Sequence, residues 1–499
     1  GALGAAILVG VGGVAVLPVL GGRVPLTAAA EGPVRPAKPA PEAEALVKQL
    51  GSDEFAEREA AGEKLRSLGL AALPAIRAGM KGTDLEIARR CAALLPRIHA
   101  ESWAPFVKKF QADKDGKQDF DHPIWRRFKA VAGDSRQSRK IFAEMIEDAN
   151  RVKALQAAEC DPEAAGAVYA EEMARQLAER ERQFRERAVV WTPILPLRPG
   201  EKPPPPHRGE FATVLFLGSY PAKAQAAPKP EVEANYVADG IRYTASAFEH
   251  PMRKLYAGWA ANRRDHESIR FALRTALRVE SEDCLAVARR VAADAKLPSP
   301  IRASAFPVLA QFGGRADLAL LEPFRDDPAV YGQEIGDNPP DPSEKIPAPR
   351  PPPRIVQVRD MAVTMMLVLH GKEPSALGFE YGLASPDAYY NWQYYVLAGG
   401  FRNDTNRAAA HRKAKAWLDA RPKTDAPPTG AEIEELVKQL GSTKYIEREA
   451  ADRRLRRIGE AARPAVEAGT RSTQAEIARR CARLLGQLHR EPLRRDGPQ

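Results

Sequence analysis

The sequence predicts an all-α chain built from short helix pairs, and three observations carry that expectation. Sliding the chain of 499 residues by 390 positions lays residues 46–101 on 436–491 without a gap, with 33 of the 56 paired positions identical. Alanine, leucine, arginine and glutamate recur at helical spacing, whereas the period-two alternation of a half-buried strand is rare. Aromatic residues make up only 7% of the chain, which suits many thin helix pairs better than one bulky core. A chain of this length exceeds what one ordinary core supports, so several domains or an array that grows by stacking is expected.

The repeated module reads as four short helices. LVKQLGS, EREAA, the pairs Pro74-Ala75 and Pro464-Ala465, and EIARRCA recur in both copies. Gly69 and Gly459 stand where a helix C-cap belongs, and Thr83-x-x-Glu86 and Thr473-x-x-Glu476 read as capping boxes opening the last helix. The second helix carries Arg58, Ala61, Leu65 and Leu68 before Gly69, repeated as Arg448, Ala451, Leu455, Ile458 and Gly459. Arg302, Ala305, Leu309, Phe312 and Gly313 keep those offsets, and Arg359, Ala362, Met366 and Leu369 keep all but the glycine, which arrives late as Gly371. A small residue lets a neighbouring helix approach, the apolar residues one and two turns on fill the seam, and glycine lets the chain fold back.

These residues resemble the HEAT-like α-solenoid family, whose second helices commonly begin with an apolar residue and an arginine, as Ile301-Arg302 and Val358-Arg359 do. The likeness covers both terminal modules and about 268–371. The segment 372–420, ending AAAHRKAKAWLDA, is similar to the tail of exported bacterial HEAT-like proteins with no assigned activity. The resemblance implies HEAT-like helical repeats forming α-solenoid segments, with proline-rich insertions between them.

The organisation expected is a signal peptide or membrane anchor at 1–30, a Pro/Ala-rich leader at 31–41, and the first module at 42–101. A central helical region at 102–420 is interrupted by proline-rich loops at 195–207 and 337–354. A linker at 421–430, the second module at 431–491 and a tail at 492–499 follow. Residues 1–22 carry no charge and are apolar enough for a signal h-region or a short anchor, and Ala28-Ala29-Ala30 before Glu31 suits a signal peptidase. An exported or membrane-anchored location is therefore expected, with membrane contact through 1–22 alone.

Sites of chemistry are scarce. Gly10-x-Gly12-x-x-Ala15 imitates a dinucleotide loop but opens no amphipathic helix. The stretch from Gln111 to His122 imitates a calcium loop, yet Gln111 replaces the first ligand and His122 the final glutamate, so a solvated acidic turn is the simpler reading. Cys91 and Cys481 fill a small-residue slot, and His99 and His489 read as solvent-facing helix ends. Gly218-Ser219-Tyr220 follows an apolar run but meets Pro221 rather than a helix. No catalytic residue, cofactor or metal site is assigned.

The candidate interaction surface has two parts. Tyr389, Tyr390, Trp392, Tyr394 and Tyr395, followed by Arg412 and Lys413, combine aromatics with cations able to stack on bases or sugars or to anchor a protein. Arg453, Arg454 and Arg457 stand where the first module has Glu63, Lys64 and Ser67. The plainer readings are a seal on the open end of a solenoid and a solvated helix face. The expected role is a non-enzymatic scaffold or adaptor that binds another protein. Two alternatives stand beside it: nucleic-acid binding on a basic face, for which +10 net charge is a modest field, and an enzyme with a composite site.

Overall fold

A computed structural model describes residues 41–113, 116–191, 206–221, 229–244, 250–279, 281–333, 353–370, 372, 374–379, 400–420, 429–443 and 445–488. These are mostly helical, as the composition and spacing require. The expected signal peptide or anchor at 1–30, the leader up to residue 40, most of both proline-rich loops, most of the linker, His489 and the tail at 492–499 lie outside the described residues. No described helix is long and apolar enough to cross a membrane.

The first module comprises α1 (Pro41–Gln49), α2 (Phe55–Leu68), α3 (Leu73–Met80) and α4 (Leu85–Ala112). Leu46, Ala61, Leu65, Ile76, Cys91 and Leu95 meet in its core, at the positions the spacing selects. Gly69 takes φ 59°, where a side chain would be strained, and its N–H closes on the Arg66 carbonyl. Arg58 ties the preceding turn to α2, because its Nη1 donates to the carbonyls of Ser52 at 2.7 Å and Asp53 at 2.9 Å. Arg448 repeats the bonds to Ser442 at 2.6 Å and Thr443 at 3.0 Å.

Two expectations about this module change. The last helix is opened by Asp84 rather than Thr83, because its carboxylate accepts the N–H groups of both Glu86 and Ile87 and suits the positive helix end. That helix is also not short. It runs 28 residues through Pro96 and Pro105, since Trp103, Phe106 and Phe110 on its second half are buried in the next core and offset the lost backbone bonds.

That next core is continuous from Trp103 to Leu418. It begins with α5 (Pro123–Ala132), α6 (Arg136–Met145), α7 (Ala149–Cys160) and α8 (Ala165–Trp191) around α9 (Arg208–Leu217), whose residues Phe211–Leu217 are buried on every side. A helix apolar all round belongs in the middle. Gly209 allows close packing there, since a Cβ would stand 2.6 Å from the Glu144 carbonyl oxygen of α6. The few aromatics are concentrated here: Phe110, Trp125, Phe128, Phe142 and Phe216 form one chain of ring contacts 4.9–5.8 Å apart. The region is thus bulkier than the overall composition suggests.

Next come α10 (Pro230–Thr244), α11 (His250–Ala261) and α12 (His266–Arg278), joined through one buried carboxylate. Glu233 accepts from Tyr169, Arg263 and Trp259 on one oxygen and from Ser268 at 3.0 Å on the other. Every donor is matched, so the cluster reads as structural. The chain continues through α13 (Leu285–Ala293), α14 (Ser299–Ala303), α15 (Phe306–Phe312) and α16 (Leu318–Leu321). The repeat from Arg302 to Phe312 is therefore two short helices, broken at Ser304–Ala305 ahead of Pro307, which seats well in a helix's first turn. Its arginine nevertheless keeps the carbonyl-tying role, with Arg302 Nε donating to Ala292 at 2.9 Å.

An antiparallel pair, β1 (Val330–Gln333) and β2 (Ile355–Gln357), leads into α17 (Val358–Leu369), which holds Arg359, Ala362, Met366 and Leu369 in one helix as expected. After it, α18 (Asp404–Asp419) buries Arg407, Ala410, Ala414 and Leu418. The second module follows as α19 (Gly430–Gln439), α20 (Tyr445–Ile458), α21 (Arg463–Gly469) and α22 (Ala475–Leu488). Its core of Leu436, Ala451, Leu455, Val466, Cys481 and Leu484 is a separate cluster.

Candidate functional site

Tyr389, Tyr390, Trp392, Tyr394 and Tyr395 lie outside the described residues. Arg412 and Lys413 sit exposed on α18. Behind them α18 is fastened to α17 by the fully buried Asp360, which accepts from Gln357 N at 2.8 Å, Arg407 Nε at 3.2 Å and His411 Nε2 at 2.8 Å. The His411 ring faces those of Phe379 and Phe401 at 5.3 and 6.2 Å. Asp360 and Arg407 thus orient the helix that displays the two cations.

Arg453, Arg454 and Arg457 lie along α20, which belongs to the separate second core. In the same helix Asp452 is fully buried. Its carboxylate holds Arg456 on one oxygen and Arg483 of α22 at 2.7 Å on the other. The two arginine side chains remain 42% and 52% exposed, so the buried acid presents both cations outward. On the same side, Glu476 holds Arg480 at 2.6 Å and Arg479 at 2.5 Å, and the Arg480 bond leads in drawing its carboxyl below the usual range. In the first module the places of Asp452 and Arg483 are taken by Gly62 and Ala93, and Arg66 turns instead to Glu63 and Glu101.

A second polar cluster joins the first module to the large core. Glu159, at the end of α7 and 4% exposed, accepts from Arg77 of α3 at 2.9 Å, Arg127 of α5 at 3.3 Å and the Tyr220 hydroxyl at 3.2 Å. Arg127 also lies 4.2 Å over the Tyr220 ring. Beside it, His99 is buried rather than solvent-facing, because α4 continues past it into the core. His122 is buried too, its ring 4.3 Å from Phe106 and 5.2 Å from Trp103. No ring nitrogen of either histidine has a hydrogen-bond partner, and burial lowers their pKa values to about 4 and about 3.

The acidic turn spends its carboxylates on the chain's own cations: Asp113 meets Arg139 at 2.6 Å, Asp119 meets Lys129 at 2.5 Å and Asp121 meets Arg126 at 3.1 Å. Among the described residues no group of three or more His, Cys, Asp or Glu is placed to hold a metal ion. Cys91 and Cys481 are buried and unpaired, and burial pushes each thiol up to about 11. Ser219 donates to the Phe216 carbonyl at the end of a helix, so it stands on no strand-to-helix elbow.

Sequence reading therefore reached α20 but missed Asp452, Arg483 and Glu159. The first two were findable: between the copies, a glycine becomes an acid and an alanine becomes an arginine 31 positions later. Glu159 had no such signal, because its three donors come from distant parts of the chain.

Fold and sites together define a mostly helical protein carrying a four-helix module twice. No protein-family model matches the chain, and no curated protein matches it. Among solved structures, the crystal structure of an engineered protein is 14% identical, covers 90% of this chain and 99% of its own, and has a TM-score of 0.19. At that score the likeness carries no argument.

Proposed function

We propose that the chain is a non-enzymatic scaffold of the HEAT-like type, which binds a protein partner through exposed repeat faces outside the cytoplasm or at a membrane. The observation that carries this reading is how the two modules differ. Core residues such as Ala61 and Ala451, Leu65 and Leu455, and Cys91 and Cys481 are identical and buried, whereas Asp53, Glu54 and Glu63 are exposed and all three are replaced. A module that keeps these core positions while changing the charge at these exposed ones suits recognition by surface. Interleaved acids on α20 and α22 favour a protein over a nucleic acid, whose phosphates would meet Glu476 and Glu447 as well as arginine.

The test is cell fractionation followed by crosslinking of the full chain in place. Crosslinks from α18 or α20 to a defined protein outside the cytoplasm support the reading. A cytoplasmic protein that binds DNA with an affinity falling steeply with salt would replace it with the nucleic-acid alternative.

A further inference from the structure

We infer that the second module of one copy of this chain docks on the first module of another, across their second helices, giving head-to-tail association. This deepens the scaffold reading and rests on it only in treating repeat faces as binding surfaces. The two faces are built on the same frame, since α2 and α20 are both 14-residue helices laid on the same buried Ala and Leu. They differ in sign. Glu54 and Glu63 of the first module become Lys444 and Arg453, Asp53 becomes Thr443, and Ser67 and Ala93 become Arg457 and Arg483.

The acidic edge is accessible. Asp53, Glu54, Glu59 and Glu63 are all exposed, and the last two keep 55% and 71% of their side-chain surface while touching Arg90 and Arg66. On the basic side, Asp452 fixes Arg456 and Arg483 in place from beneath, so less freedom is lost when they meet carboxylates. Two first modules face to face would oppose acids, and two second modules would oppose arginines. The mixed pair alone sets a strip with an excess of acid against one with an excess of base, the arrangement by which paired helices select unlike partners. Such an interface joins different patches, so it propagates into a ring or an open chain.

The experiment is sedimentation velocity of the full chain over a range of concentrations at about 0.05 M and about 0.5 M salt. Mass should rise with concentration at low salt and fall back toward the monomer at high salt. Restoring first-module residues in the second module, with D452G, R453E, R457S and R483A together, should weaken association roughly tenfold. Adding E54K and E63R to that variant should bring it back, which a merely unstable protein would not do. A chain that stays monomeric at every concentration, or variants that associate like the parent, would overturn the inference. A monomeric chain that still crosslinks to another protein in cells would leave the scaffold reading standing.

Discussion

Arg77 of the first module reaches Glu159 of the large core, whereas the residue at the same place in the second module is Glu467, which turns to Arg463 of its own helix at 3.8 Å. The neighbouring positions change with it: Leu70 and Leu73 become Glu460 and Arg463, themselves paired at 2.5 Å. One copy thus has an apolar strip ending in a cation that bonds outward, and the other a strip of charges that satisfy one another. The comparison teaches that a largely shared core leaves docking to a few positions at its edge and surface. It also shows that the second module carries a buried acid, Asp452, where one further arginine, Arg483, joins the one that both copies have as Arg66 and Arg456.

Breaking the first module's anchor should have the largest effect. Glu159→Ala removes the acceptor of the buried Tyr220 hydroxyl and one partner each of the partly exposed Arg77 and Arg127, and should cost about 2–4 kcal/mol in chemical denaturation, whereas Glu467→Ala, on an exposed ion pair, should cost less than about 0.5 kcal/mol. Moving the second module's device into the first sharpens the contrast. Gly62→Asp alone places a partly buried carboxylate that has Arg66 but no arginine at position 93, and should destabilise by about 1–2 kcal/mol; adding Ala93→Arg should recover most of that, measured as a double-mutant cycle.

Acid should separate the copies more gently. His99 is held neutral by burial down to about pH 4, while the unfolded chain takes up its proton near pH 6.5. Because the unfolded state binds more protons between those values, stability is full above about pH 6.5 and falls as pH drops through the window. The loss for His99 is about 2 kcal/mol at pH 5. Replacing His122 by Phe, which keeps a ring against Phe106, should flatten the profile followed by thermal unfolding. The described second module contains no histidine and should show no such slope.

Much of this was legible in the sequence where local chemistry decides. Duplicated glycines with positive φ, the alanine–leucine seams and the recurrence of the arginines follow from spacing within one or two helices, whereas the carbonyls those arginines tie do not. Reading failed where distant segments meet. Thr83 has the spacing of a cap, yet Asp84 is better placed, and His99 looks exposed because nothing local reveals that α4 continues into another core. The run from Phe211 to Leu217 offers no period to read, since every face of its helix is covered. Asp452 and Arg483 stand out in the sequence as changes between the copies, but that the buried acid aims two arginines outward is visible only once the helices are set side by side.

The 28 residues of α4 span about 42 Å, and its first half belongs to the first module while its second half belongs to the large core. Two cores that share one helix cannot be weighed separately: the helix ends are formed once for both, and fraying on one side removes support from the other. The first module is therefore thermodynamically part of the body it adjoins, and a substitution at Cys91 is felt at Phe106 as a change in the same rod. Among the described residues, the core of the second module stands as a cluster of its own.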